Sequence, residues 1–428
     1  MEKYTYKESG VEWLGVIPVH WDIGKVKRGC SEIDTGKTPS TSVSEYFFDG
    51  SVEWYAPECF NETLWIDEPK KLINQKAVDD GQIKIYPAKS VYFVAVGATA
   101  GKVGIISKPA SCNQQINILQ TNHKLLPEYL TYQFKLLETE IIKFAQYTTL
   151  PILNQAKTGV LEMSFPPIQE QKAIAEYLDI ATAKIDRIIS IKQEQLVKMK
   201  ASKKSKIEHL FSYDKDCKSI KKDDLEYLGY VPKDWKVTQL KFVLDFLDSR
   251  RIPLSGAERG VMTEKTYDYY GASGVIDKVD NYIFDEPLIL IGEDGANLVT
   301  RSKTLAFIAK GKYWVNNHAH ILKPKFGDIE FWTYLLESLD YSLFITGAAQ
   351  PKLSQGNLAK MRIKFPKEES KRKVILDKIV KLEQTTKKQQ INLKSQIKTL
   401  QTYRKSLIHE CVTGKKQVTS AIKNQAYA

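Results

Sequence analysis

The longest regular pattern of apolar and polar positions lies near the C-terminal end of the chain. From residue 375 to residue 407, steps of four and three residues alternate along one stripe, and seven of its ten positions are apolar or Tyr. Those seven are Ile375, Ile379, Leu382, Leu393, Leu400, Tyr403 and Leu407. A stripe with a mean period of about 3.5 residues is the seam of a left-handed coiled coil. The polar interruptions are Thr386, Gln389 and Gln396.

A second stripe with the same spacing begins in the middle of the chain. It starts at Ile174, Leu178, Ala181, Ile185 and Ile188, and it becomes polar at Lys192 and Gln195 before Met199. Neither Pro nor Gly occurs from 168 to 228 or from 367 to 413, so nothing in the sequence stops a helix there. We predict helices at 168–211 and 367–412 that pack against each other in antiparallel orientation. The alternative is that each long helix only covers its own domain.

Shorter apolar runs outside the two helices predict strands. The runs "SVYFVAV" (90–96) and "PLILIG" (287–292) are rich in β-branched and aromatic residues and end at Gly-containing turns. The sequence therefore predicts an α+β protein, with two strand-rich α/β domains separated by two long helices that form an antiparallel coiled coil. The predicted domains are 1–166 (first domain with its lead-in), 167–222 (central helix), 223–366 (second domain) and 367–428 (distal helix and tail).

The chain repeats itself over a long interval. The segment "WLGVIPVHW" at 13–21 returns as "YLGYVPKDW" at 227–235, with Gly, Pro and Trp each displaced by 214 residues. At the ends of the two domains, Pro151, Leu153, Phe165 and Pro166 return 200 residues later as Pro351, Leu353, Phe365 and Pro366. A long period with a variable middle indicates a duplicated domain whose two copies carry different working parts.

The charge of the chain points to a polyanionic partner. The 428 residues carry 63 Lys and Arg against 51 Asp and Glu, a formal net charge of +12, which favours binding to nucleic acid. A surface that is merely basic is the alternative. The first residues do not resemble a signal peptide, and no run of about 18 apolar residues is present to cross a bilayer. Five single cysteines without a CxxC spacing fit a reducing compartment, so we expect a cytoplasmic protein with no membrane partner.

Three segments resemble catalytic or ligand-binding motifs but lack residues that the chemistry requires. "GATAGKVG" at 97–104 has three residues between its first two glycines and Val after the Lys, whereas a phosphate-binding loop needs four residues and Ser or Thr. His318 and His320 have no accompanying cluster of zinc ligands. Glu293 and Asp294 lack a distant carboxylate in a recognisable nuclease arrangement. We predict no catalytic residue, no metal site and no cofactor in this chain.

Polar residues gather in loops beside aromatic residues in both predicted domains. Asn and Gln side chains reach adenine edges, while Arg and Lys reach guanine or phosphate. In the first domain the candidate DNA-binding residues are Lys37, Thr38, Ser40, Lys102, Gln114, Gln115 and Asn117. In the second domain they are Arg250, Arg251, Tyr270, Ser273, Asn297, Arg301, Asn317, His318 and His320. Ordinary loop polarity is the alternative for any single residue.

The motifs that contain these residues, and others along the chain, resemble those of the specificity subunit of type I restriction–modification systems. The resemblance extends over essentially the whole chain. The family's "GGTPS" pattern appears as "GKTPS", with Lys37 in place of the second Gly, and its "NQ-I" element appears as "NQQI" from Asn113 to Ile116. Further matches are "RRIPLSGAERG", "YYGASGVIDKVDNYIFDEPLILIGEDGANL", "YWVNNHAHIL", "SFPPIQEQKAIAEYLD" and "YRKSLIHECVTGK".

The resemblance implies a function in DNA recognition without catalysis. In this family each domain reads one half of a split, asymmetric double-stranded DNA site, and the paired helices hold the domains apart. The implied partners are two methyltransferase subunits and restriction (motor-nuclease) subunits, which would bind S-adenosylmethionine, ATP and Mg. A coiled-coil scaffold with two protein-binding domains and a single-chain DNA-modifying enzyme are the alternatives.

The repeated lead-in segments suggest a partner surface. Pro18, Trp21, Pro232 and Trp235 recur while the loops differ, which suits contact with two copies of one partner. The alternative is that these four residues pack at the entry to each domain.

Overall fold

The computed structural model describes residues 4–145, 153–212, 227–229, 231–347 and 349–418. The chain divides into two compact units, the first comprising Met1–Gln193 and Lys394–Ala428 and the second Glu194–Leu393. Pro151 of the repeated segment and the predicted boundary at 222/223 lie outside the described residues.

Among its described residues, the first unit contains two sheets and two strand pairs. Its strands are β1 (Tyr6–Glu8), β2 (Val16–Pro18), β3 (Asp22–Lys25), β4 (Cys30–Thr35), β5 (Val52–Tyr55), β6 (Trp65–Ile66), β7 (Lys71–Ile73), β8 (Val91–Val94), β9 (Val103–Ile106), β10 (Ser111–Cys112), β11 (Ile116–Thr121) and β12 (Glu162–Phe165). Its helices are α1 (Lys76–Asp79), α2 (Pro127–Ala145), α3 (Gln155–Gly159) and the first part of α4 (Ile168–Ser212). The main sheet has the order β4–β11–β8–β9–β6, and a smaller one has the order β10–β5–β7.

Strands β8 and β9 are buried along their whole length because both faces of the main sheet are covered. On one face Phe93 packs against Phe134 of α2, with 4.7 Å between ring centroids. On the other face Tyr92 meets Tyr55 of the smaller sheet edge to face at 6.0 Å. This explains why "SVYFVAV" reads as an uninterrupted apolar run and not as an alternation.

The second unit has a similar plan, with one main sheet and one smaller sheet. Its strands are β13 (Trp235–Gln239), β14 (Leu244–Phe246), β15 (Tyr267–Gly271), β16 (Gly274–Val279), β17 (Leu288–Gly292), β18 (Ala306–Ala309), β19 (Tyr313–Val315), β20 (Ala319–Pro324), β21 (Ile345–Thr346), β22 (Lys352–Leu353) and β23 (Arg362–Pro366). Its helices are α5 (Gly256–Gly260), α6 (Asn297–Thr300), α7 (Ile329–Ser338), α8 (Gln355–Lys360) and part of α9 (Glu369–Val412). The main sheet has the order β14–β20–β17–β18, and a second sheet has the order β16–β15–β19.

The repeated segments of the sequence pair with each other inside each unit. In the first unit β3 comes directly after the lead-in segment and pairs antiparallel with β12. In the second unit β13 pairs in the same way with β23, with Trp235 opposite Pro366. Each copy thus joins its entry strand to its exit strand directly before a long helix, which accounts for the similar frame of the two copies.

The two long helices pack in antiparallel orientation within each unit. In the first unit Nε of Arg404 on α9 lies 2.9 Å from Oδ1 of Asp186 on α4. In the second unit Nζ of Lys203 on α4 lies 3.0 Å from Oε1 of Glu383 on α9. Within the first unit Nζ of Lys192, later on α4 than Asp186, lies 2.6 Å from Oε1 of Gln396, earlier on α9 than Arg404. The helices therefore run antiparallel there, as predicted. Among the described residues, none of the helices combines the length and the apolar run that crossing a bilayer requires.

Two apolar or aromatic positions of the predicted stripe are exposed in the helix pair. Ile188 is 43% exposed and Tyr403 is 52% exposed, while their neighbours Ile189 and Arg404 face the packed side. An α-helix of 3.6 residues per turn drifts against a period of 3.5, and Arg404 is drawn inward by its ion pair with Asp186. The phase of the stripe was therefore wrong by one residue at these points.

Candidate nucleic-acid interface

The predicted DNA-binding residues of the first unit lie mainly at one edge of its main sheet. Strand β4 ends at Thr35, β8 ends at Val94, β9 begins at Val103 and β11 begins at Ile116. Because β4 and β8 run antiparallel to β11, and β9 runs antiparallel to β8, the loops between these strands leave from the same edge. We call this the first loop edge, formed by 36–43, 95–102 and 113–115.

Backbone and side-chain contacts hold the exposed residues of the first loop edge close together. The backbone N–H of Lys37 donates to the carbonyl of Cys112 at 2.9 Å, and the Lys37 carbonyl accepts from the indole of Trp54 at 3.1 Å. The Thr38 hydroxyl donates to the side-chain oxygen of Gln114. Ser40 pairs with the hydroxyl of Ser42. The side chains predicted from "GKTPS" and "NQQI" thus meet on one exposed surface.

Lys102 and Gln115 lie deeper in the first loop edge. Both are half-buried, and Nζ of Lys102 donates to the carbonyl of Phe60 at 3.2 Å. Gln115 accepts from the side-chain amide of Asn113 at 2.9 Å. Gly97 adopts a left-handed φ of 104°, and a β-carbon there would lie 3.2 Å from Nε2 of Gln115. The glycine-rich segment "GATAGKVG" is therefore a tight turn that makes room for Gln115.

The second unit presents an equivalent edge. Strand β14 ends at Phe246, β17 ends at Gly292, β18 begins at Ala306 and β20 begins at Ala319, and all neighbouring pairs in this sheet are antiparallel. The second loop edge is therefore formed by 247–255, 293–305 and 316–318. Strand β15 ends beside it, because the backbone N–H of Asn316 donates to the carbonyl of Tyr270 at 3.0 Å.

The two adjacent arginines of the second loop edge have different surroundings. The Arg250 guanidinium stacks 4.7 Å over the ring of Phe284, lies 3.4 Å from Glu286, and its side chain stays 48% exposed. The Arg251 side chain is 16% exposed, and its Nη1 contacts Glu293 at 2.6 Å and the carbonyl of Ala319 at 2.9 Å. The polar atoms of Arg251 are thus engaged inside the protein, which gives this residue a structural role in the present conformation.

Four further predicted residues lie at or beside the second loop edge. Asn317 and His318 are exposed, and Nδ1 of His318 lies 2.7 Å from a carboxylate oxygen of Asp294. Tyr270 is half-buried and stacks on Phe307 with 5.9 Å between ring centroids. Ser273 sits in the turn that joins β15 to β16.

Asn297 and Arg301 do not join the exposed group. Asn297 closes its own turn, accepting from the backbone N–H of Lys303 at 2.8 Å and donating to the Lys303 carbonyl at 3.2 Å. Arg301 has a left-handed φ of 49°, donates to the carbonyl of Glu337 and faces a cleft of 520 Å³ lined also by residues of α4. Local contacts therefore fix both side chains, and neither belongs to the exposed group of candidates.

Asn117 and His320, the remaining candidates, are buried. Asn117 is 1% exposed and His320 is 0% exposed. Nδ2 of Asn117 donates to the carbonyl of Leu153 at 2.7 Å, and Nε2 of His320 lies 2.7 Å from the carbonyl of Leu353. Neither side chain can touch a base in this conformation. The strands that carry these two residues are covered on both faces, which buries the side chains. The prediction did not allow for this burial.

The candidate DNA-binding residues did not include two residues that shape the loop edges. Asn113 accepts from the backbone N–H of Gln115 at 3.0 Å, and Asn316 accepts from that of His318 at 2.9 Å. These are the same Asx turn in the two units, displaced by 203 residues. An alignment of "NQQIN" with "NNHAH" would have found them, since the turn-forming Asn begins both segments.

A charged group lies beneath the second loop edge. Single ligand atoms of Asp248, Glu293 and His320 lie within 4.8 Å of one another, a spacing that a metal ion could use, yet Arg251 already pairs with both carboxylates. Burial acts to raise the pKa of the Glu293 carboxyl, but Arg251, His320 and Lys352 together hold it below its ordinary value. The positive charges of Arg251 and Lys352 thus offset the negative charges of the two carboxylates within the group.

The four lead-in residues form the same turn in both units. The backbone N–H of Trp21 donates to the carbonyl of Pro18 at 3.0 Å, and Trp235 does the same to Pro232. Trp21 is 1% exposed, and a β-carbon on Gly414 would lie 2.5 Å from the Pro18 ring. In the first unit these residues are therefore packed at the domain entry, which favours the packing alternative there. Trp235 is half-buried.

Comparisons with known proteins agree with this architecture. The profile of the type I restriction modification DNA specificity domain matches residues 18–198 and 232–399. The type I restriction enzyme MjaIX specificity subunit of Methanocaldococcus jannaschii is 25% identical over 442 residues, covering 96% of each chain.

Two solved structures share the fold. A chain from a structural study of complex assembly and conformational transition of the type I R-M system superposes with a TM-score of 0.70 at 13% identity, covering 94% of this chain and 99% of that one. The HsdS subunit from Thermoanaerobacter tengcongensis superposes with a TM-score of 0.53 at 13% identity, covering 96% and 100%. The predicted α+β fold with paired long helices is confirmed. Because the two profile matches together span more than half of its residues, the chain belongs to the family of type I restriction modification DNA specificity domains.

Proposed function

We propose that the chain is the DNA-recognition subunit of a type I restriction–modification complex, in which each unit reads one half of a bipartite, asymmetric double-stranded DNA site. The observation that carries the proposal is the pair of equivalent loop edges. Both are built on the same sheet ends and the same Asx turn, but the first exposes Gln114 where the second exposes Asn317. One frame with different side chains suits the reading of two different base sequences.

Charge supports double-stranded DNA as the ligand. The net charge of +12 favours contact with phosphates. Such contact releases the counterions bound to DNA, and this release supplies most of the sequence-independent affinity of DNA-binding proteins. Exposed Lys37 and Arg250 lie on the two loop edges. We assign these two side chains to phosphate or guanine contacts, and the exposed amides to base edges.

Catalysis is assigned to partner subunits in this proposal. Two methyltransferase subunits would bind S-adenosylmethionine, and restriction subunits would bind ATP and Mg. The assembled complex would then act as a site-specific deoxyribonuclease and adenine methyltransferase at sites chosen by this chain. The MjaIX relative is named as a specificity subunit and covers the same length, which supports a role as one subunit among several.

The test is a genome-wide map of methylated adenines made with the assembled methyltransferase. Alanine at Thr38 and Gln114 should relax one half of the recognised site, and alanine at Asn317 and His318 should relax the other half only. A matched pair of exposed residues away from both edges, Lys172 and Lys405, should leave the map unchanged when replaced. If either loop pair changes both halves or neither, the assignment of one half to each unit fails.

Two controls separate this function from its alternatives. The purified chain alone, given DNA and S-adenosylmethionine, should transfer no methyl group; turnover would indicate a single-chain enzyme. DNA affinity should fall steeply as salt rises because bound counterions are released on binding. A protein-binding scaffold should show no salt-dependent affinity for DNA.

A further inference from the structure

The buried residues Asn117 and His320 occupy the same place in the two units. Strand β11 pairs with β4 so that Asn117 lies opposite Thr35. In the second unit β20 pairs with β14, Phe246 lies opposite Leu322, and the same register continued by two residues sets Asp248 opposite His320. The pairs Thr35–Asn117 and Asp248–His320 are therefore equivalent in topology, and we call them the first and second buried pairs.

Each buried pair donates a hydrogen bond to the equivalent carbonyl in its own copy of the repeated segment. Nδ2 of Asn117 donates to the Leu153 carbonyl at 2.7 Å, and Nε2 of His320 donates to the Leu353 carbonyl at 2.7 Å. The partner across the strand pair is also bound: Thr35 donates to Oδ1 of Asn117 at 2.9 Å. Leu153 and Leu353 are displaced by 200 residues, so two different side chains perform one contact.

The bonded leucines connect the loop edge to the long helix. The backbone N–H of Leu353 donates to the carbonyl of Glu293 on the second loop edge at 2.8 Å, as that of Leu153 does to Ala95 at 2.9 Å. From each leucine the chain continues through a short helix and an exit strand into a long helix. The buried pairs thus lie between the loops that face DNA and the segment that leads to α4 or α9.

The chemistry of the two buried pairs differs. Nδ1 of His320 lies 2.6 Å from Asp248, and Nε2 faces a carbonyl. The Leu353 carbonyl can only accept a hydrogen bond, so Nε2 donates to it, and one proton lies between Nδ1 and the Asp248 carboxyl group. The second pair therefore joins an imidazole to a carboxyl group, and the first joins a hydroxyl to an amide. A buried polar group that loses its partner is costly, whereas replacing both partners together can be nearly neutral.

We propose that Asn117 and His320 are positioning residues, which fix the loop edges against the segments leading to the long helices, and that the hydroxyl–amide pair and the carboxyl–imidazole pair are interchangeable. This inference rests on the proposed function. It distinguishes residues that hold the loops in position from residues that read bases. The base-reading role first assigned to His320 is the competing possibility. The two roles predict different binding and methylation when the second pair is rebuilt as the first.

The experiment compares His320→Asn and Asp248→Thr with the double variant that carries both changes. Each single change should lower affinity for the duplex that the wild-type complex methylates by tenfold or more, because it leaves a buried polar group without its nearest partner. The double variant should return to within threefold of the wild type, with the same methylated sequence. The first unit supplies the reciprocal test, in which Thr35→Asp and Asn117→His should each impair binding alone and restore it together.

Amide hydrogen exchange of the full chain without DNA provides the second measurement. The single changes should speed exchange at Leu353 and His318, and the double variant should restore protection. If the double variant binds with a changed preference in one half-site, or stays as impaired as the singles while folded, the positioning role is overturned. If the wild-type chain shows no sequence preference but the exchange pattern holds, the proposed function fails and the positioning of the loops stands.

Discussion

Arg404 of α9 lies with its Nε 2.9 Å from a carboxylate oxygen of Asp186 on α4, and its side chain is only 9% exposed. Its Nη2 also donates to the carbonyl of Glu62 at 2.7 Å. One residue therefore joins both long helices to a loop of the first unit. Polar residues at a coiled-coil seam fix register, and this contact does so where Tyr403 of the predicted stripe is exposed.

Replacement of Arg404 by Ala should destabilise the first unit. Asp186 and the Glu62 carbonyl would lose their partner, and because Asp186 is 34% exposed we expect a loss of about 2–3 kcal/mol in the free energy of unfolding. Urea denaturation measures this loss. The neighbouring Lys405→Ala change is exposed and should stay within about 0.5 kcal/mol; equal effects of the two changes would remove the special role of Arg404.

The two adjacent arginines of the second loop edge should behave in opposite ways. Arg251→Ala leaves Glu293 and Asp248 with a missing partner, so it should lower the free energy of unfolding by about 3 kcal/mol. Arg250→Ala should change stability little and weaken DNA binding by about 1–3 kcal/mol if it contacts guanine. Denaturation and DNA titration on both variants decide the matter. A stable Arg251→Ala protein with weak DNA binding would restore Arg251 as a base contact.

Lys37 should contribute a phosphate contact on the first loop edge. Lys37→Ala should weaken binding to every sequence by a similar factor and reduce the slope of log affinity against log salt by about 1. The matched change Lys172→Ala, on an exposed face of α4, should leave the slope of the isolated chain unaltered. A loss confined to one base sequence would instead make Lys37 a base reader.

Lys364 should make stability depend on pH above neutrality. Burial lowers the pKa of Lys364 to about 8, whereas a lysine in the unfolded chain titrates near about 10.4. Between these values the unfolded chain holds one proton more than the native chain, so the contribution of Lys364 to stability rises with pH by up to about 1.4 kcal/mol per unit.

The measurement for Lys364 is a difference between two proteins. The free energy of unfolding of the wild type minus that of Lys364→Met should grow by about 1–2 kcal/mol from pH 8 to 9.5. The same difference taken with Lys367→Met, which alters an exposed lysine, should stay flat. A flat difference for Lys364 as well would mean that its amine remains protonated in the fold.

The helices were predictable because their signal is local. The absence of Pro and Gly and the alternating steps of four and three gave helix ends within two residues of Ile168–Ser212 and Glu369–Val412. The phase at Tyr403 was not predictable, because it depends on Asp186 and Glu62, which are distant in sequence and draw Arg404 inward.

The grouping of the loops was predictable, but the exposure of each residue was not. Lys37, Thr38 and Gln114 come together because strand ends share one edge of a sheet. Asn117 and His320 have the composition of DNA-binding residues, yet the sheets are covered on both faces and bury them. Only the pairing register, which a single sequence does not give, separates a polar residue that faces DNA from one that fixes a strand.

We expect the two units to read separate half-sites, and we expect α4 and α9, which continue from one unit into the other, to set the spacing. Nζ of Lys192 and Oε1 of Gln396 lie 2.6 Å apart, so seven residues inserted after Gln193 and seven after Leu393 enter the two helices within about one turn of each other. A full heptad keeps the seam in phase. It adds about 10 Å, or about three base pairs at roughly 3.4 Å each.

The most direct measurement is the map of methylated adenines made with this lengthened chain in its complex. We expect the same two half-sites separated by a gap that is wider by two or three base pairs. An unchanged gap, from a variant that folds and assembles, would show that α4 and α9 do not set the spacing.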